Sequence, residues 1–406
     1  MAYRPMKLGR LAIKIQGSGW GTAETSFAAA NYIEAEVGEP VVSQESHRID
    51  PIRSGFEEPE VFGGARIIDL PIRIPFLHGW SSAGPSADPT EHPDALLMRL
   101  ALGASVLTGY VATNIASGGT TSLLKVTAGN TNWRGSGLLV PVSGTPAYEP
   151  AIVSDVNTAA TPDEVTPLVP LQRTPASSGT HYGSNTCYLD TATPAPITLD
   201  WIGPDAGAHV RYMDGLVRSL RVVGSAKKPP MLEATIRFTG PRSFPGAGGS
   251  LAAYSYGFPG VPPLLKANGA GVYFNGAWTP VSEASFGVEC ELGDPEGWGS
   301  DEGVVQQVVT DRKVTASVLI PSTGTFTNEI LAAGTAITKL VAILACATPG
   351  RSAGFCLPAP VLTDVAQFKS RNNLLAVEYA MAPQKFASDG GAGLGAGNSG
   401  ARFFFL

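Results

Sequence analysis

The sequence predicts an all-β protein built from two tandem β-barrel or sandwich units, and three observations predict it. The first is alternation. Ile68, Leu70, Ile72 and Ile74 fall on one face of a stretch, and Phe286, Val288, Cys290 and Leu292 fall on one face of another. That is the pattern of a strand with one buried side. The second is composition: glycine (48) and proline (33) are frequent among 406 residues, and helical periodicity is short and rare. Turn-rich β folds have this signature. The third is that the chain echoes itself. Residues 32–40 (YIEAEVGEP) match residues 287–295 (GVECELGDP), and residues 66–75 (RIIDLPIRIP) match residues 312–321 (RKVTASVLIP). The offsets are 255 and 246, so the first copy carries a loop nine residues longer. Such repetition points to an architecture that repeats in space.

Taken in order, the first unit opens with a strand over Ile33–Val37, a long loop over 41–65 and a strand over Ile67–Pro75. His92–Gly103 (HPDALLMRLALG) reads as a helix, with Pro93 at its start, a leucine stripe, and Gly103 as its stop. A third echo, Leu232, Ala234, Ile236 and Phe238 against Leu375, Val377, Tyr379 and Met381, has an offset of only 143. The first copy has therefore gained 103 residues between its middle and last strands. The added material is assigned to 104–195, as a small inserted β domain or a decorated loop.

The resulting division is 1–103 with 196–241 for the first unit, 104–195 for the insertion, 242–269 for a linker and 270–383 for the second unit. Each unit is expected to hold a short helix, with Asn328–Gly334 in the matching place of the second. Residues 384–406 form a tail, flexible and glycine-rich over 387–400, that ends in Phe403, Phe404 and Phe405. An exposed phenylalanine triplet would be a liability, so it is expected to dock on its own barrel or on a neighbouring subunit.

Catalytic and metal sites do not emerge. The five histidines (His47, His78, His92, His181, His209) form no i, i+4 pair and have no adjacent cysteine ligand. Gly395–Gly400 fits GxGxxG in form, but no strand precedes it and no helix can follow it. The acidic turn with Asp294, Glu296, Asp301 and Glu302 lacks the ordered alternation of an EF-hand loop. No catalytic residue, cofactor or metal is therefore assigned, and the expected protein is not an enzyme. A glycan-cleaving enzyme working through Glu57, Glu58 and Glu60 ranks last, because any acidic loop supplies such pairs. Four cysteines in a chain this long do not make a disulfide framework, and Cys290 is expected to pack as a small apolar side chain. Whether Cys346 and Cys356 pair stays open. The first residues lack an apolar h-region, so no signal peptide is expected, and the longest apolar run, Leu340–Ala347, is far short of a membrane span.

Net charge is −6. A nucleic-acid-gripping protein presents a basic face, so the charge fits either ordinary solubility or a chain that lets DNA pass better than it holds it. The polar faces of the alternating strands carry Glu34, Glu36, Glu233, Glu289, Glu291 and Glu378.

At this point the chain resembles the tail tube (major tail) proteins of long-tailed bacteriophages. Four features carry the likeness: the strand, long loop and strand over 33–75; the Leu-rich helix ending in Leu-Gly; the strand, turn and strand YMDGLVRSLRVVGSAKKPPMLEATIRFTG (212–240); and SEASFGVECELGD (282–294) ahead of a strand opening at Arg312. The resemblance spans most of the chain outside 104–195. It implies tail-tube-type barrels and a structural virion protein, assembled in the host cytoplasm, whose rings stack into the conduit for DNA ejection. Its partners would be itself, other tail proteins (tape measure, terminator, distal tail) and DNA in transit without specific binding, with no membrane. Six barrels per ring would come from three two-barrel subunits or from a hexamer. Under this reading Glu34, Glu36, Glu289 and Glu291 line an acidic channel. Glu45, Arg48, Asp50, Arg53, Glu57 and Glu58 supply contacts between stacked rings. The alternative reading is a receptor- or carbohydrate-binding tail-tip or fibre protein, whose hallmark would be exposed aromatics among Trp20, Trp80, Trp133, Trp201, Trp278 and Trp298.

Overall fold

A computed structural model describes residues 9–28, 31–49, 60–75, 93–107, 115–127, 133–144, 148–203, 209–225, 228–240, 242–245, 271–295, 304, 306–322, 331–345, 352–371, 374–384 and 399–406. The chain begins with strands β1 (Gly9–Ile15), β2 (Tyr32–Val37), β3 (Val41–Ile49) and β4 (Glu60–Pro75), then helix α1 (Pro93–Leu102) and β5 (Gly103–Leu107). Next come β6 (Leu124–Val126), β7 (Gly137–Pro141), β8 (Tyr148–Asn157), β9 (Asp163–Pro167), β10 (Asn185–Leu189), β11 (Ile197–Ile202), β12 (His209–Ser225) and β13 (Lys228–Phe238). The remainder holds β14 (Gly271–Phe274), β15 (Ala277–Thr279), β16 (Glu283–Gly293), β17 (Val308–Pro321), β18 (Leu340–Ala345), β19 (Ala353–Leu357), β20 (Pro360–Leu362), β21 (Gln367–Arg371), β22 (Leu374–Pro383) and β23 (Arg402–Phe405). Among the described residues the protein is all-β apart from α1.

A twelve-stranded sheet organises the fold, with its main path running β11-β1-β2-β4-β13-β12-β16-β17-β22-β20. Strand β11 also pairs with β12, so six strands (β11, β1, β2, β4, β13, β12) close into a ring. Closure is possible because β12 is long: its first part pairs with β11 and its later part with β16. A seven-stranded sheet, β15-β14-β18-β19-β23-β10-β5, packs against the larger one, and one continuous apolar core lies between them. The alternation seen in the sequence points into that core. Ile68, Leu70, Ile72 and Ile74 are buried, and so are their partners Phe238, Ile236, Ala234 and Leu232 across the β4–β13 ladder. Each of the larger side chains, Ala234 excepted, contributes about 1.5–3 kcal/mol by leaving water.

Helix α1 packs on β12, β10, β5 and β16, deep in this core. Its C-terminal carbonyls are capped from outside the helix. Arg312 Nε donates to Ala101 O at 2.9 Å, and its Nη atoms donate to Asp190 O and Ala192 O at 2.6 and 2.7 Å. A cation at a helix C-terminus opposes the dipole as well as satisfying orphan carbonyls. Gly103 turns the chain at φ +108°, and a Cβ there would sit 2.9 Å from Asp190 O.

Several expectations are revised. Residues 41–49 and 60–65 are strand rather than loop: β3 pairs with β4 from Val41↔Asp69 to Ile49↔Glu60. Residues 43–48 (SQESHR) are an unbroken polar run with no alternation to reveal a strand, so β3 is set by its ladder with β4 rather than by its own pattern. The second short helix is not found among the described residues. Instead Gly334, at φ +80°, sits in a turn whose backbone is committed to pairing around β20, with Gly334 N donating to Leu362 O and Leu362 N to Thr335 O. Residues 328–330 lie outside the described residues. So does most of the linker 242–269, where Ser243 forms a bridge to Arg211 of β12. The segment assigned to the insertion has its ends, β5 and β10, in the seven-stranded sheet. Residues between them form a four-stranded sheet, β6-β9-β8-β7, with its own core around Leu124, Trp133, Leu138 and Val153.

The echoes fare unequally. Strand order β2-β4-β13 recurs as β16-β17-β22. At the offset of 246, Ile74 corresponds to Ile320. Ile74 faces Leu232 while Ile320 faces Val377, so the last strand is shifted by two residues from its sequence match. An even shift keeps every side chain on its face. The 255 echo does not survive in register: Glu36 pairs with Arg73, but Leu319, the match of Arg73, pairs with Glu283 and not with Glu291.

A candidate polar channel face

The side of the twelve-stranded sheet that turns away from the core carries the charged residues. Cross-strand registers assemble them into rows. One row runs Glu36, Arg73, Glu233, Arg221, Gly287 and Thr315, across β2, β4, β13, β12, β16 and β17. Arg73 lies 3.7 Å from Glu36 and 3.2 Å from Glu233. The next row runs Pro71, Thr235, Ser219, Glu289 and Lys313. Opposite charges directly across a ladder stabilise the pairing by a few tenths of a kcal/mol up to about 1.

The face is hollowed where the two halves of the sheet meet. A hollow of about 590 Å³ is floored by Ser219, Thr235, Gly287 and Thr315 and walled by Glu36, Arg73, Arg221 and Glu233. Small side chains on the floor make the hollow; a Cβ at Gly287 would already fall 2.9 Å from Thr315 Oγ1. A second hollow of about 620 Å³ adjoins it, lined by Arg218, Arg237, Glu289, Glu291, Asp311 and Lys313 among others. At its rim Arg237 bridges two carboxylates, donating to Asp69 at 3.1 Å and Asp294 at 3.3 Å, and Arg218 donates to Asp69 at 2.5 Å. Burial pushes the Asp294 carboxyl above its ordinary range, against the pull of Arg237.

Of the residues the sequence singled out, Glu36, Glu289 and Glu291 are exposed on this one face. Glu34 stands in β2 with its backbone opposite Arg10. Glu45 and Arg48 stand in β3, while Asp50, Arg53, Glu57 and Glu58 lie outside the described residues. Sequence reasoning missed the bases. Arg73, Arg221, Arg218, Arg237 and Lys313 interleave with the acids, so the face is a mixed-charge lattice rather than an acidic sheet. Alternation alone put Arg73 and Arg221 on the polar side, since each sits between two core residues (Ile72 and Ile74, Leu220 and Val222); only the registers show which acid each one meets.

A second polar cluster lies away from the hollows, on β11 and β12. Asp200 is 2% exposed and accepts from His209 Nε2 at 2.7 Å and from Arg211 through two bonds of 2.7 Å. The Phe27 ring covers the Arg211 guanidinium at 5.9 Å. This arrangement fixes the N-terminal segment onto the closed ring of strands; both donors are spent on one carboxylate. Among the described residues, no group of three or more His, Cys, Asp or Glu converges as metal ligands would.

No protein-family model matches the chain, and a search of curated proteins found no match.

Proposed function

We propose that this protein is a structural subunit that assembles with copies of itself into a ring or tube, of the kind found in the tails of long-tailed phages, and that the hollowed charged face lines the passage. The observation that carries the proposal is the uninterrupted run β3-β4-β13-β12-β16-β17-β22-β21, which is open at both ends. Among the described residues no strand pairs with the outer edge of β3 or of β21. Open edges recruit other strands.

The ends are also where exposed apolar side chains gather. Val41 and Val42 stand on β3, 61% and 48% exposed, and Phe368, Leu374 and Leu375 stand on β21 and β22. Val42 lies opposite core residue Ile68, and Phe368 opposite core residue Val377, so both project from the same side of the sheet. Joining β3 of one copy to β21 of the next would extend the sheet and let these side chains cover one another. Such a head-to-tail contact is heterologous, and it closes into a ring when the rotation permits. The recurrent strand order supports reading the chain as two staves, so that three copies, or six, complete a ring. A passage lined by acids with paired bases offers a phosphate backbone little uncompensated attraction, which favours DNA transit without specific binding.

Negative-stain microscopy of the purified protein tests this. Rings or tubes with a central hole are expected, and Val42→Glu with Phe368→Glu should abolish them while leaving a folded monomer. A wild-type protein that remains monomeric at high concentration would refute the reading.

A further inference from the structure

The last strand of the chain occupies an interior place in the seven-stranded sheet. β23 pairs with β10 on one side (Cys187↔Phe403, Asn185↔Phe405) and with β19 on the other (Phe355↔Phe403, Ala353↔Phe405). Each wall of this slot has its own support. β10 is backed by β5 and α1, and β19 by β18 and β14. The slot is shaped for the strand on both faces. Phe403 and Phe405 enter the main core, while Phe404 and Leu406 enter a separate cluster with Leu139, Ile152, Val341 and Leu168 under the four-stranded sheet. Two glycines form the Phe404 socket. A Cβ at Gly354 would fall 2.6 Å from the ring, and one at Gly137 would fall 3.1 Å from Phe404 Cβ.

The route to the slot is longer than the chain needs. Gln384 and Gly400 touch, since a Cβ at Gly400 would lie 2.6 Å from the Gln384 carbonyl. Residues 385–398, rich in glycine, are spent between two points already in contact. Extended, that length spans up to about 45–50 Å, far beyond the gap it bridges within one molecule.

We propose that the slot between β10 and β19 is a strand-acceptor site whose ligand is the terminal Arg402–Leu406 segment of a neighbouring copy, exchanged for the chain's own strand when copies assemble. Own and donated strands make identical contacts. Which one is seated is therefore decided by linker length and by the local concentration of neighbouring ends, and the surplus linker allows the donated form. The occupant is an extended apolar C-terminal peptide, held by backbone pairing on both edges, with specificity from alternate side chains. The inference rests on the self-assembly reading, because it requires a neighbour.

Engineered crosslinking tests it in the full-length chain. Ser352 and Leu406 exchange two backbone hydrogen bonds, of 3.0 and 2.7 Å, which places their Cα atoms about 5.5 Å apart and within disulfide range. Ser352→Cys with Leu406→Cys is oxidised in the monomeric fraction and in the assembled fraction, and both are run on denaturing non-reducing gels. Intrachain bonds are expected in the monomers, and loss of the monomer band to covalent multimers in the assemblies. Multimers must be missing from the chain without either substitution, which keeps its four native cysteines, and from each chain carrying only one of the two; their presence there would count against exchange. If the pair impairs folding, Ala353→Cys with Phe405→Cys reads the same contact. Assemblies that give only monomer-sized bands overturn strand exchange and leave the tube reading standing; a protein that never assembles overturns both.

Discussion

Truncating one phenylalanine of the terminal strand probes whether the last residues of the chain hold the fold together. Phe403 is fully buried, with its ring 5.5 Å from Phe286 and 5.1 Å from Phe405. Phe403→Ala removes the transfer energy of the ring and leaves a cavity, together costing about 3–5 kcal/mol. Each lost ring contact adds about 0.5–1.5 kcal/mol beyond buried area, which places the expected loss toward the upper end of that range. With an unfolding entropy of roughly 2.1 cal/mol/K per residue, a chain of 406 residues that unfolds as a unit should lose about 5–6 °C in Tm. Thermal unfolding followed by circular dichroism measures it. Phe244→Ala serves as the control, because Phe244 is 67% exposed and should shift stability by no more than about 0.5 kcal/mol. Equal shifts for the two variants, or no shift for Phe403→Ala, would refute the claim that β23 is an integral strand.

Three further outcomes are expected. Asp200→Ala strands Arg211 and His209 in a buried setting and should cost about 3–5 kcal/mol in urea unfolding; a loss below about 1 kcal/mol would show that the cluster does not anchor the N-terminal segment. The Cys290 thiol is pushed by burial from about 9 up to about 11, with Arg312 pulling the other way. Its folded value is raised, so its stabilising contribution is complete below pH 9 and is lost as pH climbs toward 11. Mass spectrometry of the labelled peptide should find Cys290 almost unreactive to alkylation at pH 8 in the native protein and reactive in urea, and equal rates would contradict the burial. Finally, Glu36→Lys, Glu289→Lys and Glu291→Lys together should leave assembly intact but slow DNA release from assembled particles; unchanged release argues against this face lining the passage.

Much of the fold was legible because burial writes itself into period-two patterns. The strands at 232–238 and 312–321 and the helix at 92–103 stand in the structure within a few residues of where alternation and end signals put them, and the strand at 67–75 is the second half of a longer one, Glu60–Pro75. What stayed hidden depends on partners distant in sequence. Nothing near Phe403–Phe405 announces that β10 and β19, separated by more than a hundred residues, will flank it. The β3 arm read as loop because Ser43–Arg48 is an unbroken polar run with no alternation to find. The candidate site was half legible: the acids stood out by repetition, but Arg73 and Arg221 gain their meaning only from registers across β4, β13 and β12. The echo of 32–40 in 287–295 was the most visible match and the one whose register slips furthest, with Leu319 facing Glu283 rather than Glu291, because short alternating segments can match by composition without occupying equivalent places.

Electron cryomicroscopy of the particles formed by the purified chain tests the central claim most directly. The account predicts a ring or tube in which β3 of each copy runs alongside β21 of the next, with Glu36, Arg73, Glu233 and Glu289 facing an open central passage. A monomer, or a compact assembly in which that charged face is buried against another chain, would contradict it.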